Sequence, residues 1–131
     1  MLLTNLNGII SPPISLAIDT VRTKLDEWNC NKIFLATEDK GIEQKFKDIF
    51  GDKCLTFDKN FVDYVPGKAI TSFHINREND LYLSGKDYLI EILLLSMCNS
   101  FIVARGFGPV GVMLFAEHFE NAFAFDLGRY K

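Results

Sequence analysis

Cysteine and histidine are scarce in this chain, and those present lack the spacing of a covalent or metal-held framework. The 131 residues include three cysteines, Cys30, Cys54 and Cys98, and two isolated histidines, His74 and His118. An odd number of cysteines without C-x-x-C spacing gives neither a disulfide framework nor a zinc site. We therefore expect no metal, no other cofactor, and a reducing compartment, the cytoplasm.

Basic clusters and long apolar runs are also missing. The net charge is −3 with a pI near 5.3, and no Lys/Arg cluster is long enough to track a nucleic-acid backbone. The apolar run from Leu89 to Ala104 is interrupted by Glu91 and Asn99 and falls short of the ~20 residues that span a bilayer. The first residues lack the basic and apolar regions of a signal peptide. We expect no nucleic-acid partner and no membrane insertion.

What the chain does have is the composition of a single folded domain. Its 131 residues suffice for one compact domain and are too few for two ordinary ones. Hydrophobic residues make up 48% of the chain and charged residues 24%, which argues against disorder. The 12 phenylalanines indicate a core rich in large rings.

Apolar residues alternate along the chain between helical spacing and short continuous runs. Helices are predicted over residues 14–28, 42–50, 84–97 and 109–119, and strands over 32–37, 54–57, 101–104 and 122–125. Ser84 is the expected N-cap of the third helix, and Gly51 the expected C-cap of the second. This alternation predicts an α/β fold: a three-layer Rossmann-like domain with a mainly parallel sheet of about four strands and helices on both faces.

Ligands of open parallel sheets lie beyond the carboxyl ends of the strands, which directs attention to the turn after the third strand. Gly106 and Gly108 would let a phosphate approach the backbone at a helix N-terminus, with Arg105 supplying positive charge. The same residues are also compatible with a tight turn and a solvated arginine. The sequence leaves both interpretations open.

Acidic residues and one histidine complete the candidates. Glu38 and Asp39 could accept hydrogen bonds from a ribose or a base, or could stabilise the N-terminus of the following helix. Glu91 lies in an apolar helix, so it either faces solvent or binds something. His74 belongs to the aperiodic connection 58–83, which we expect near the ligand, whereas His118 is predicted to be an exposed helical residue.

Three stretches carry a family resemblance: Lys32-Ile33-Phe34-Leu35-Ala36-Thr37-Glu38-Asp39 with the later Phe50-Gly51-Asp52, then residues 82–99, and then the strand at 101–103. Together they resemble the C-terminal, nucleotide-sugar-binding half of the fucosyltransferases of the α-1,6 and nodulation types, which are GT-B-like glycosyltransferases. The resemblance covers roughly residues 12–130. Its most specific part is the helix with Glu91 and Leu95-Ser96-Met97-Cys98-Asn99.

The resemblance implies that residues 1–131 form one Rossmann-like domain, equivalent to the donor-binding half of a two-domain glycosyltransferase. The implied substrate is a GDP-sugar, with GDP-fucose expected, and the implied process is surface glycan or polysaccharide synthesis without a metal. Glu91 occupies the position of the acid that contacts guanine in the family. The full set of residues expected to bind the nucleotide sugar is Asp39, His74, Glu91, Arg105, Gly106, Phe107 and Gly108; catalytic residues are left unassigned.

Two departures from the family pattern bear on activity. Where the family carries a Ser/Thr pair or Ser-Asn, this chain has Ala104-Arg105-Gly106-Phe107-Gly108, which leaves backbone N–H groups and Arg105 for the diphosphate. The family's upstream His-x-Arg-x-x-Asp-like motif has no counterpart, so we expect the chain to be inactive alone and to need an N-terminal acceptor domain or subunit. The alternative is a non-catalytic α/β interaction or regulatory module that retains the fold but not the ligand.

Overall fold

The computed structural model describes residues 2–3, 11–61, 63, 65, 76–104 and 107–128, in which strands and helices alternate. The strands are β1 (Leu2–Leu3), β2 (Ile33–Thr37), β3 (Cys54–Thr56), β4 (Ser100–Ala104) and β5 (Asn121–Phe125). The helices are α1 (Ile14–Glu27), α2 (Lys40–Phe50), α3 (Asp80–Ser96) and α4 (Phe107–Phe115), with a short 3₁₀ turn at Gly51–Lys53. The predicted α/β class is confirmed.

The strands pair in the order β3-β2-β1-β4-β5, and each pairing is parallel. Residue Leu2 of the short β1 lies opposite Ala36 of β2 on one side and Val103 of β4 on the other. Because all the strands run in one direction, their carboxyl ends meet at one edge of the sheet. The loop and helix residues that follow β2, β3 and β4 therefore share that edge.

Two hydrophobic clusters cover the two sides of the strands. In β2, Ile33 and Leu35 belong to the cluster that contains residues of α1 and α2, whereas Ala36 belongs to the cluster that contains residues of α3 and α4. Alternate residues of a strand point to opposite faces, so a strand buried on both faces has to be apolar throughout. This requirement explains the continuous apolar run of β2. The first cluster is centred on Ala17, Ile18, Val21, Phe46 and Phe125, the second on Ile92, Leu95, Phe101 and Val112.

The start of α3 differs from the prediction. The helix begins at Asp80 rather than after Ser84, and its N-cap is Asn79 with a positive φ of 56°. The Nε of Arg77 donates to Oδ1 of Asp80 at 2.7 Å, and the Ser84 hydroxyl donates to the same oxygen at 3.3 Å. These contacts stabilise a polar first turn of α3, which the spacing of apolar residues cannot predict. Among the described helices, none is long and apolar enough to cross a membrane.

The predicted helix at 109–119 is displaced toward the N-terminus. It spans Phe107–Phe115, and Pro109 lies in its first turn. An N–H group in the first turn has no acceptor within the helix, so proline, which lacks this group, is tolerated there. Phe119 lies beyond the helix and stacks on Phe101 with ring centroids 5.1 Å apart. His118 is exposed as expected, but it is not helical. Gly51, with a φ of 54°, is the C-cap of α2 as predicted.

Candidate functional site

Three charged side chains meet at the carboxyl edge of the sheet. Glu38 directly follows β2, Lys59 follows β3 by three residues, and Glu91 comes from the middle of α3. The Nζ of Lys59 donates to Oε1 of Glu38 at 2.7 Å and to Oε2 of Glu91 at 2.5 Å. We call these three residues the ion triad. It joins segments that are 21 and 32 residues apart in the chain.

Two members of the ion triad are buried. The side chains of Lys59 and Glu91 are 2% and 4% exposed, whereas that of Glu38 is 34% exposed. Moving charges out of water costs several kcal/mol per ion unless partners compensate. Lys59 gains a further favourable contact from the ring of Phe61, whose centroid lies 5.6 Å from Nζ. The ammonium group of Lys59 thus contacts two carboxylates. When all three groups are ionised, the ion triad has a net charge of one negative unit.

This environment changes the protonation of Glu91. Burial is the largest influence and raises the pKa of Glu91 from 4.5 to about 7, against the lowering effect of the charge and hydrogen bond of Lys59. The nearby carboxylates of Glu38 and Asp87 make smaller contributions to this rise in the pKa. Burial, followed by the charges of Glu38 and Glu91, also raises the pKa of Tyr88. A carboxyl group that titrates near neutral pH at the carboxyl edge of a parallel sheet is a candidate for ligand binding or proton transfer.

Asp39, which directly follows Glu38 of the ion triad, has a structural role. Its Oδ1 accepts hydrogen bonds from the backbone N–H groups of Gly41 at 2.7 Å and Ile42 at 3.3 Å, which makes Asp39 the N-cap of α2. Its own N–H donates to the hydroxyl of the buried Thr37 at 3.2 Å. A Cβ at position 41 would lie 3.1 Å from Oδ1, so glycine there leaves room for the cap. The role of Asp39 in nucleoside binding stays a prediction.

The other predicted site residues lie at the start of α4 or outside the described part of the chain. Phe107 begins α4, and Gly108 is buried in its first turn. Because α4 follows β4 closely, its N-terminus lies at the same edge of the sheet as the ion triad. The strands β2 and β4 flank β1, so about 10 Å separates them. His74, Arg105 and Gly106 lie outside the described residues.

Lys59 is the site residue that the sequence did not reveal. It lies in the aperiodic connection after β3, where no spacing distinguishes one lysine from another. The one signal was indirect: a glutamate inside an apolar helix needs a partner when it is buried. The sequence left open whether Glu91 faces solvent or binds a partner. In the structure its side chain is buried and paired with Lys59. Within the described residues, no group of three or more histidine, cysteine, aspartate or glutamate side chains could hold a metal ion.

We expect Lys59→Met to lower the free energy of unfolding by about 3 kcal/mol at pH 8, because it leaves Glu91 buried without its cation. At pH 5 the loss should be smaller, since Glu91 is then protonated and neutral. Urea denaturation at both pH values measures this difference.

The matched control is Lys47→Met, which removes an i,i+4 pair with Glu43 on the surface of α2, where the lysine side chain is 43% exposed. That change should cost less than about 1 kcal/mol at either pH. A loss for Lys59→Met as small as that of the control, or one independent of pH, would contradict the role assigned to the ion triad.

Comparison of the chain with known proteins adds no relative. No protein family, no curated protein and no solved structure matches it. The relation to the fucosyltransferases therefore stays a prediction from the three sequence stretches described above.

Proposed function

We propose that the chain is a GDP-sugar-binding domain of a glycosyltransferase, with GDP-fucose as the expected donor, and that it is incomplete as a catalyst. The observation that carries the proposal is Glu91, a buried carboxylate with a pKa near neutrality at the carboxyl edge of a parallel sheet. It is also the residue that occupies the guanine-contacting position in the family the sequence resembles.

The sheet order supports a Rossmann-like, three-layer arrangement for this domain. The order β3-β2-β1-β4-β5 corresponds to five strands of the dinucleotide-binding Rossmann sheet. In such sheets the order in which successive strands are added reverses next to the first strand, and ligands bind in the crevice at that point. Here the reversal lies between β1 and β4. The crevice at that point lies beyond the carboxyl ends of β1 and β4, beside the start of α4, with Glu38 at the end of the neighbouring strand β2.

The chemistry of Glu91 favours guanine over other bases. A carboxylate accepts hydrogen bonds, and guanine presents two adjacent donors, N1–H and N2–H, on one edge. Uracil presents a single N–H donor. The side chain of Glu91 is 4% exposed, so the base reaches it only when Lys59 moves aside. Guanine then takes the place of Lys59 as the hydrogen-bond donor to the carboxylate of Glu91.

The diphosphate would lie against the N-terminus of α4. Unpaired N–H groups at a helix start and the helix dipole favour an anion there. Phe107 and Gly108 belong to this first turn, and Gly108 brings no side chain to obstruct the approach of a phosphate. Without the hydroxyl pair of the family, affinity for the diphosphate depends on backbone groups and Arg105. A second domain or subunit would supply the acceptor site.

We expect GDP to bind more tightly than UDP, and Glu91→Gln to lower the preference for GDP by about tenfold or more, because an amide offers only one acceptor. Calorimetric titration with GDP, GDP-fucose and UDP measures the preference. UDP is the matched ligand because it carries the same diphosphate, and the exposed Glu117→Gln is the matched variant.

The pH dependence gives the same experiment a second readout. The base needs ionised Glu91, whose pKa is about 7, so the ratio of GDP to UDP affinity should fall as the pH is lowered below 7, by about tenfold per unit. Protonation of the diphosphate affects GDP and UDP equally, so it does not change this ratio. Absence of any GDP-selective binding at millimolar ligand would contradict the proposal.

The second candidate function is that of an interaction module, and the surface of α4 favours it. Val110, Met113, Leu114 and Phe115 are between 54% and 79% exposed in a helix of nine residues. A contiguous apolar patch of this kind marks a surface that contacts another protein. In this alternative the fold is retained for association and the crevice binds no nucleotide.

If α4 serves association, the chain should form dimers or larger assemblies at micromolar concentration, and Leu114→Lys should shift it toward monomer by placing a charge in the contact. Analytical ultracentrifugation over a concentration series measures the shift. The control is Glu117→Lys, an exposed change close to α4 in the chain that leaves the apolar patch intact. A wild-type chain that stays monomeric at every concentration would exclude self-association through this surface.

A further inference from the structure

A cavity of about 450 Å³ lies at the amino edge of the sheet, away from the ion triad. Leu25 and Leu95 line it from the last turns of α1 and α3, and Ile33 and Ser100 line it from the first residues of β2 and β4. A helix that connects parallel strands runs back along the sheet, which brings both helix ends to this edge. Pockets that bind small molecules measure about 300–1,000 Å³, so the cavity is large enough for a small organic ligand.

The walls of the cavity are mainly aliphatic. Their apolar side chains include Val21, Leu25, Leu55, Leu95 and Ile102. Trp28 also lines the cavity, but the Nζ of Lys24 lies 5.5 Å from the centroid of its ring, so the ring already has a partner. Such walls favour a ligand with an alkyl chain, because binding removes the chain from water.

The polar part of the lining carries positive charge. Among the described residues that line the cavity, Lys24 and Lys32 are basic and none is acidic. Lys24 is paired with Glu27 at 2.5 Å, which neutralises its charge. The exposed Lys32 instead donates to the backbone oxygen of Asp52 at 3.0 Å. A lysine ammonium has three N–H donors and uses one for this contact, so Lys32 offers both charge and donors to an anion.

Ser100 adds a hydroxyl donor to the lining. Its Oγ accepts a hydrogen bond from the side-chain amide of Asn121 at 3.2 Å and lies 3.8 Å from the Sγ of Cys30. Neither contact gives the hydroxyl proton a strong acceptor, since sulfur is a weak one. A carboxylate oxygen would supply a strong acceptor. Lys32 follows Cys30 by two residues, which places Lys32 and Ser100 in the same region of the lining.

The helix ends at this edge do not call for a cation. Carbonyl groups at the C-terminus of a helix attract positive charge when they lack a partner. Here the N–H of Cys30 donates to the carbonyl oxygen of Leu25 at 2.9 Å, and the N–H of Cys98 donates to that of Leu95 at 3.1 Å. The charge of Lys32 therefore decides the sign of the ligand.

We propose that this cavity binds a medium-chain aliphatic carboxylate. The alkyl chain lies against the aliphatic walls, and the carboxylate accepts hydrogen bonds from Ser100 and Lys32. The cavity is at the opposite edge of the sheet from the nucleotide crevice, so this inference does not depend on the proposed function.

The fluorescence of Trp28 measures the binding, because Trp28 is the one tryptophan of the chain and lines the cavity. The probes are octanoate, octan-1-ol and octylammonium, which share an alkyl chain and differ in charge. Octanoate should change the Trp28 emission and saturate at one molecule per chain. It should bind about fivefold more tightly than octan-1-ol, the gain expected from one partly exposed charge pair, and octylammonium should bind most weakly.

Lys32→Met tests the polar end of the site. It should weaken octanoate binding about fivefold and leave octan-1-ol binding unchanged, because the alcohol carries no charge. The matched control is Lys45→Met, which removes an exposed lysine of α2 outside the lining and should change neither affinity. Equal octanoate affinity in the wild type and the Lys32→Met variant overturns the assignment of the carboxylate.

Alkylation of the cysteines locates the bound ligand. Cys30 lines the cavity, whereas Cys54 is buried in β3 outside its lining. Octanoate at about ten times its dissociation constant should slow alkylation of Cys30 by N-ethylmaleimide about tenfold and leave Cys54 unchanged. Binding that leaves Cys30 unprotected overturns the proposal, because the ligand then lies elsewhere. Equal affinities for the three probes, or no change in Trp28 emission at millimolar octanoate, also overturn it.

Discussion

The ammonium group of Lys59 lies between two carboxylates, and the arrangement of the carboxyl edge of the sheet depends on it. Through Lys59, the end of β2, the segment after β3 and the middle of α3 are held together by two charge-assisted hydrogen bonds. The folded state raises the pKa of Glu91 to about 7, so between about pH 4.5 and 7 it binds a proton that the unfolded chain releases. Stability from this group is therefore greatest at low pH and falls as the pH rises toward 7. A site that costs stability at neutral pH is typical of functional residues.

Helix α3 connects the carboxyl edge of the sheet, where we propose nucleotide binding, with the amino edge. Near its middle it carries Glu91 at the carboxyl edge, and one turn later Leu95 lines a cavity together with Cys98 and Ser100, the first residue of β4. The buried residues of α3 are Glu91, Ile92 and Leu95. This part of α3 lies close to α4, where a Cβ added at Gly111 would lie 3.6 Å from the Ile92 side chain.

The parts of the fold that could be predicted are those in which local sequence and tertiary environment agree. The continuous apolar run of β2 and the helical stripe of α2, ended by Gly51 with its positive φ, are signals of this kind. The start of α3 could not be predicted, since its first turn depends on the contact of Arg77 with Asp80 rather than on apolar spacing. Strand β1 has two residues, too few for any periodicity.

Prediction of the site was limited in a similar way. Glu91 could be identified because a carboxylate in an apolar helix conflicts with its surroundings. Lys59 could not, because its importance comes from a contact across 32 residues of chain. Asp39 was correctly placed at the end of β2, but its main contacts are with the N-terminus of α2, a role that the sequence left open beside ligand binding.

The most direct test of this account is the titration of Glu91 itself, followed by the ¹³C chemical shift of its side-chain carboxyl group in NMR spectra of the wild-type protein and the Lys59→Met variant. We expect a midpoint near 7 in the wild type and a higher midpoint in the variant, because the lysine favours the ionised form of Glu91. A midpoint near 4.5 in the wild type, the value of an ordinary solvent-exposed glutamate, would contradict the buried, lysine-held carboxylate on which the proposed function depends.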